Sequence, residues 1–199
     1  MVETTFHLSR RMALDGMEAK RIEGATSEAV YIRLLPPRAR FSLRFDSALL
    51  SIPARVGVGL TLDMPINRYV FSARSTAMRL GPDEWLLSGP EGETEQIAGD
   101  VGEALAGLHH SLVDISHRHV ALSVSGPRAA DVLNSGCPLD LSSSAFPAGC
   151  ATRTLLGKTD VVLAKADDLP SLEIECGRSF AGYIRDFLLE AARGLRVGP

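Results

Sequence analysis

Apolar and polar residues alternate with a period of two at several places along this chain. Val30, Ile32 and Leu34 are separated by Tyr31 and Arg33, which predicts a half-buried strand. Pro36 and Pro37 break it. Phe41, Leu43 and Phe45 then alternate with Arg40, Ser42 and Arg44, so a second strand carries one apolar and one basic face. Further strands are expected over 69–73, 77–80 and 85–88. The period then changes. Ile97, Val101, Leu105 and Leu108 recur at steps of three and four, as on an amphipathic helix. His109 and His110 are expected to close that helix, where the dipole favours positive charge.

The second half repeats the theme. Strands are expected over 112–115 and at Val120, Leu122 and Val124. Ser125 can cap a helix starting at Pro127, with Ala130, Val132 and Leu133 on its apolar side and Gly136 at its stop. A loop rich in Pro, Ser and Gly covers 137–149, and strands follow over 152–156, 161–164 and 172–176. Ser179 is expected to cap a last helix whose apolar face is Phe180, Ile184, Phe187, Leu188 and Ala191, with Gly194 ending it. Each half thus closes as turn, strand, Gly, helix: DEWLLSG in one, PSLEIECG in the other. The fold class is α+β, with two strand-rich halves in a weak pseudo-repeat and mixed or antiparallel sheets packed by helices. The boundaries are an N-terminal arm over 1–27, a first half over 28–110 and a second over 111–199. The arm is loose or partner-binding, with a short helix over 10–19.

A length of 199 residues suits one domain, or two small halves sharing a core. With 45% hydrophobic residues, 23% charged residues and a net charge of -3, the chain has the balance of a folded protein. No global basic field draws it to nucleic acid or anionic lipid. No window reaches the roughly 18 to 20 apolar residues of a membrane span. Cys137, Cys150 and Cys176 form no C-x-x-C pair, which points to reduced thiols and a cytoplasmic location.

Candidate chemistry is sparse. Gly57-Val58-Gly59 begins like a dinucleotide fingerprint, but Leu62 stands where the third glycine belongs. No phosphate-binding G-x-x-x-x-G-K-[ST] loop occurs. His117 and His119 would share one face of a strand, as two metal ligands do, yet a zinc site needs a third ligand. Polar residues at a bend explain them as well. Asp114, Ser116 and His117 name the members of a hydrolase triad, but three sequence neighbours do not converge as one. Cys137 and Cys150 lack a neighbouring basic group that would activate a thiol. Arg33, Arg40 and Arg44 are expected to share a basic face on two adjacent strands, either an interface for carboxylates or a solvated surface.

Two stretches carry a family resemblance. One is RLGPDEWLL over 79–87. The other is VDISHRHVALSVSGPRAADVL over 113–133, followed by GCPLDL over 136–141 and AFPAG over 145–149. In this order they resemble the gamma subunits of heterotetrameric sarcosine oxidases, over about residues 28–192. The D-x-S-x-R…SGP segment is also similar to folate-binding proteins of the aminomethyltransferase type. The resemblance implies a non-catalytic subunit with alpha, beta and delta partners, in a complex that demethylates sarcosine oxidatively. The products are glycine, hydrogen peroxide, and formaldehyde or methylene-tetrahydrofolate. It implies that FAD, FMN, NAD, zinc and tetrahydrofolate are carried by the other subunits. It assigns this chain no catalytic, cofactor or metal residue. The alternatives are a free-standing folate-binding one-carbon transfer domain, or a gamma-type subunit of a related N-methyl amine oxidase or dehydrogenase. Isolated from its partners, such a subunit is expected to self-associate through exposed apolar surface.

For the residues themselves the expected roles are architectural. Gly81-Pro82-Asp83 reads as a tight turn, and Trp85 as a core or interface anchor whose N–H needs a partner. Asp114 and Arg118 are placed to pair across a bend.

Overall fold

The computed structural model describes residues 14, 20–22, 30–49, 55–56, 60–72 and 74–194. Their strands are β1 (Lys20–Ile22), β2 (Val30–Leu34), β3 (Arg38–Phe45), β4 (Arg55–Val56), β5 (Leu60–Thr61), β6 (Arg68–Phe71), β7 (Thr76–Arg79) and β8 (Glu84–Pro90). Helix α1 (Thr94–Ala104) follows, then β9 (His110–Asp114), β10 (His119–Ser125) and α2 (Ala129–Asn134). The chain continues through β11 (Cys150–Leu156), β12 (Thr159–Lys165), β13 (Ser171–Gly177) and α3 (Ala181–Gly194). One sheet runs β1-β2-β10-β13-β12-β11-β6-β7-β8-β3-β9, and β4 pairs with β5 apart from it. Its neighbours are antiparallel throughout, among them β2 with β10 and β3 with β9. The expected α+β fold is what the chain adopts.

An internal duplication organises this sheet. Strands β2 and β9 begin 80 residues apart and each contains five residues. Each pairs with the second strand of the other repeat: β2 lies on β10, and β9 lies on β3. The two crossings make matching hydrogen bonds, Leu35 N–H to the Ala121 carbonyl and Ile115 N–H to the Arg40 carbonyl, both 2.8 Å. The repeats therefore interlock by exchanging their first strands. In each repeat the last strand leads through a 3-10 turn into a helix, Glu91–Glu93 before α1 and Arg178–Phe180 before α3.

Alternation then sorts side chains to two kinds of core. Phe41, Leu43 and Phe45 join Trp85, Leu87, Ile97 and Val101 in a cluster under α1. Val120, Leu122, Ile174 and Leu163 pack with Ile184 and Leu188 of α3 and Val132 of α2. At mid-sheet β11 and β6 share one paired position, Cys150 with Arg68. There the sheet folds over, and the inner faces of its halves meet across a small cluster of Met78, Leu86, Ile115, Ala151, Val162 and Ala164. The helices cover the outer faces. This leaves a seam between the half-sheets, lined by the positions that alternate with the two large cores.

Local details depart from the expected pattern for physical reasons. His109 and His110 do not close α1; the helix ends at Ala104, and His110 already begins β9. Ser125 and Ser179 make no side-chain caps. Ser125 ends β10, and the corner is turned at Gly126, whose φ of 117° suits only glycine. Gly136 is required for space: a Cβ there would stand 2.3 Å from the Phe187 ring, where α2 and α3 meet. Within the N-terminal arm, Lys20–Ile22 pairs with Val30–Ile32 and Leu14 is buried in the α3 core, so these parts are held by the chain's own fold. The helix expected over 10–19 and the Gly57-Val58-Gly59 motif lie outside the described residues, Leu14 excepted.

Candidate functional site

The seam gathers several charged residues from both half-sheets. On β3, Arg38, Arg40, Ser42 and Arg44 point away from the Phe41 and Leu43 core, and therefore into the seam. Arg40 is 1% exposed, and its Nε donates to both carboxylate oxygens of Glu175, on β13, at 2.8 Å. This ion pair ties one half-sheet to the other. Burial pushes the Glu175 carboxyl above its usual range, while Arg40 pulls it back. Glu173, two residues along the same face, is also raised, first by burial and then by the neighbouring Glu175 charge. The Nη2 of Arg40 finds no hydrogen-bond partner among the described residues.

The expected basic face of Arg33, Arg40 and Arg44 does not form. Strands β2 and β3 are consecutive in the chain but are separated by seven strands in the sheet. Arg33 is exposed opposite Ser123 of β10. Arg44 sits at the seam's rim, where it pairs with Asp83 and Glu84 at 3.2 Å each. Glu84 also pairs with Arg153 of β11, so its carboxylate bridges the half-sheets between two guanidinium groups.

The bend after β9 is built differently from expectation as well. Asp114 Oδ1 accepts the backbone N–H of Ser116 at 2.8 Å and its hydroxyl at 2.5 Å. The Ser116 Oγ in turn accepts the Arg40 N–H at 2.9 Å. Asp114 forms no ion pair with Arg118 among the described residues; an Asx-type turn captures its carboxylate first. Ser116 is 5% exposed and committed to the bend, while His117 is exposed in the turn rather than on a strand. No group of three His, Cys, Asp or Glu side chains gathers as a metal site among the described residues.

RLGPDEWLL forms a clamp around a core ring. Trp85 is fully buried, stacks on Phe45 with 4.2 Å between centroids, and donates its Nε1–H to the Leu62 carbonyl at 3.1 Å. Arg79 lies over the same ring at 4.9 Å, and its guanidinium donates to the carbonyls of Gly81, Pro82 and Met64. The role of Arg79 in fixing the turn was not separable in sequence from any strand-end arginine.

At one end of the seam lies a cleft of about 740 Å³ between Arg118, His119, Arg153, Asp160, Glu175 and Arg178. A second hollow of about 340 Å³ adjoins it through Arg118, His119 and Arg153, and reaches Arg44 and Glu84. His119 forms the shared wall. Burial, and then the charges of Arg118, Arg40 and Arg153, push its pKa down to about 4. The unfolded imidazole takes a proton near pH 6.5 while the folded one stays neutral, so this residue removes stability as pH falls from 6.5 towards 4. Between pH 7.5 and 5, wild type should therefore lose about 1 to 2 kcal/mol more than His119→Gln in urea denaturation. Equal losses would show that the ring is not excluded from protonation.

A family model described as the sarcosine oxidase, gamma subunit family matches residues 44–193. The chain belongs to the sarcosine oxidase gamma subunit family. The family match takes in Arg44, Trp85, Asp114 and Arg118, and leaves Arg33 and Arg40 before its start. The sarcosine oxidase subunit gamma of Arthrobacter sp is 31% identical over 158 residues, 77% of this chain and 76% of that protein. The corresponding subunit of Corynebacterium sp. strain P-1 is 32% identical over 189 residues, 93% of this chain and 86% of that one. A chain of the heterotetrameric sarcosine oxidase from Corynebacterium sp. U-96 superposes with a TM-score of 0.76 at 25% identity, covering 89% of this chain and 90% of that one. Aminomethyltransferase T of the glycine cleavage system from Bartonella henselae shares the fold, with a TM-score of 0.60 at 16% identity over 83% of this chain and 49% of its own. The gamma-family fold thus corresponds to about half of that enzyme. Among the described residues no helix is long and apolar enough to cross a membrane.

Proposed function

We propose that this chain is the gamma subunit of a heterotetrameric sarcosine oxidase, assembled with alpha, beta and delta subunits. The observation that carries this reading is the near end-to-end match to a chain of such a heterotetramer, 89% of one and 90% of the other. The complex oxidatively demethylates sarcosine. Glycine and hydrogen peroxide leave, and the one-carbon unit departs as formaldehyde or on tetrahydrofolate. FAD, FMN, NAD, zinc and tetrahydrofolate belong to the other subunits. The described polar side chains support this division of labour. Arg40, Glu175, Asp114 and Ser116 are spent on one another inside the fold. Three free cysteines, two of them buried, suit a reducing cytoplasm.

Co-expression with the three partner chains tests the reading. The expected outcome is one assembly in size-exclusion chromatography, with sarcosine-dependent oxygen uptake, and no uptake by this chain alone. A chain that elutes by itself in the presence of all partners would refute it.

A further inference from the structure

The duplication seats a strand on one edge of the sheet and leaves the equivalent edge bare. At one end β1 pairs antiparallel with β2, through Lys20 with Ile32 and Ile22 with Val30. At the other end the sheet stops at β9, the duplicate of β2, which pairs with β3 alone among the described residues. The backbone directions match as well. Leu35 N–H turns inward to the Ala121 carbonyl, and Ile115 N–H turns inward to that of Arg40. Alternation therefore turns the N–H and C=O of Val30 and Ile32 outward to β1, and those of His110 and Leu112 outward at the bare edge. Burial marks the difference. Ile32 has no exposure, whereas its counterpart Leu112 is half-buried and Val113 beside it is 51% exposed. The edge carries none of the usual guards against pairing. His110–Asp114 contains no Lys or Pro, and its register against β3 runs unbroken by a bulge.

We propose that the outer edge of β9 receives an extended segment of a partner subunit, added antiparallel in the place that β1 takes on β2. This rests on the chain being a gamma subunit. The chemistry of the segment follows from its neighbours. Opposite Leu112 it carries an apolar side chain, which completes the cover over Phe45 and Leu105 under α1. On the other face, beside Val113, it carries a β-branched one. Main-chain bonds to His110 and Leu112 supply the affinity, and these side-chain contacts select the partner. On the equivalent edge β1 differs in sequence from β2, so the internal precedent is a foreign strand rather than β9 paired with the β9 of a second copy.

Amide hydrogen exchange of the isolated chain and of the co-expressed assembly tests this. The Leu112 amide should exchange freely in the isolated chain and about tenfold more slowly, or slower still, in the assembly. The Val113 amide, which alternation turns to β3, should be slow in both. Val113→Lys puts a charge on the edge and should weaken assembly about tenfold or more, read as the concentration of this chain needed to co-elute with its partners. Val113 is exposed, so the variant should keep the wild-type unfolding midpoint, and Val113→Thr, which keeps the branched shape, should assemble nearly as wild type. A Leu112 amide that stays fast in the assembly, or a Val113→Lys chain that assembles as wild type does, overturns the proposal. An isolated dimer that Val113→Lys splits, with assembly unchanged, gives the edge to a second copy and overturns it too. A chain that never joins its partners sinks the subunit reading and the proposal with it; one that joins them with Leu112 still fast sinks the proposal alone.

Discussion

Trp85→Ala lowers the stability of this chain by about 4 kcal/mol, within the range of buried aromatic truncations. The ring has zero exposure and cannot be replaced by collapse, because it is gripped on three sides. Phe45 stacks on one face, Arg79 approaches at 4.9 Å, and the Nε1–H satisfies the Leu62 carbonyl. Alanine leaves a cavity under α1 and removes one of the two hydrogen bonds to that carbonyl, which keeps the Met64 N–H, so this loss adds up to roughly 1 kcal/mol. Trp85→Phe separates the two effects: it keeps an aromatic surface against Phe45 but loses the hydrogen bond, and should cost about half as much. With a urea dependence of about 2 to 3 kcal/mol per molar, the alanine variant's midpoint should fall by about 1.5 M. A drop smaller than about 0.5 M would mean that the clamp around RLGPDEWLL holds without its ring.

Much of this arrangement is legible in sequence, because it follows from local periodicity. The alternation at Val30, Ile32 and Leu34 and at Phe41, Leu43 and Phe45 places both strands and says which side of each is apolar. The parallel between DEWLLSG and PSLEIECG announces the duplicated strand-to-helix ending. What alternation cannot carry is partnership. It marks Arg40 as opposite in direction to Phe41, and an arginine facing away from a core is ordinarily in water. Its burial depends on Glu175, 135 residues later, being folded over it. Sequential strands most often pair, so Arg33 and Arg40 were expected side by side. The exchange of first strands between repeats sends β2 to the far end of the sheet instead. The caps expected at Ser125 and Ser179 failed for a more local reason: a glycine corner and a 3-10 turn occupy those junctions. The cleft was invisible for the same reason as the ion pair, since Arg118, Arg153 and Arg178 meet only after the sheet closes.

The buried pair gives the second large effect, and its sign can be set by pH. Arg40→Met removes the paired cation and leaves Glu175 at 2% exposure with only the unbonded Arg38 charge to offset it, which should cost about 3 kcal/mol near neutral pH. Burial already raises the carboxyl's pKa, and losing Arg40 raises it further. A carboxyl whose folded pKa lies above its unfolded value contributes stability below the unfolded pKa and loses it as pH rises through the folded one. The deficit of Arg40→Met should therefore shrink as pH drops from 8 towards 5, opposite in sense to the effect of His119. Arg40→Met with Glu175→Leu removes both charges and the unpartnered Nη2 together, and should return to within about 1 kcal/mol of wild type with no pH dependence from this site. Urea melts of the three proteins at pH 8 and pH 5.5 decide the matter. A double variant weaker than Arg40→Met alone would show that the guanidinium is held for shape rather than charge. A single-variant deficit equal at both pH values would show that Glu175 keeps its charge without Arg40, and that the seam is wetter than its burial implies.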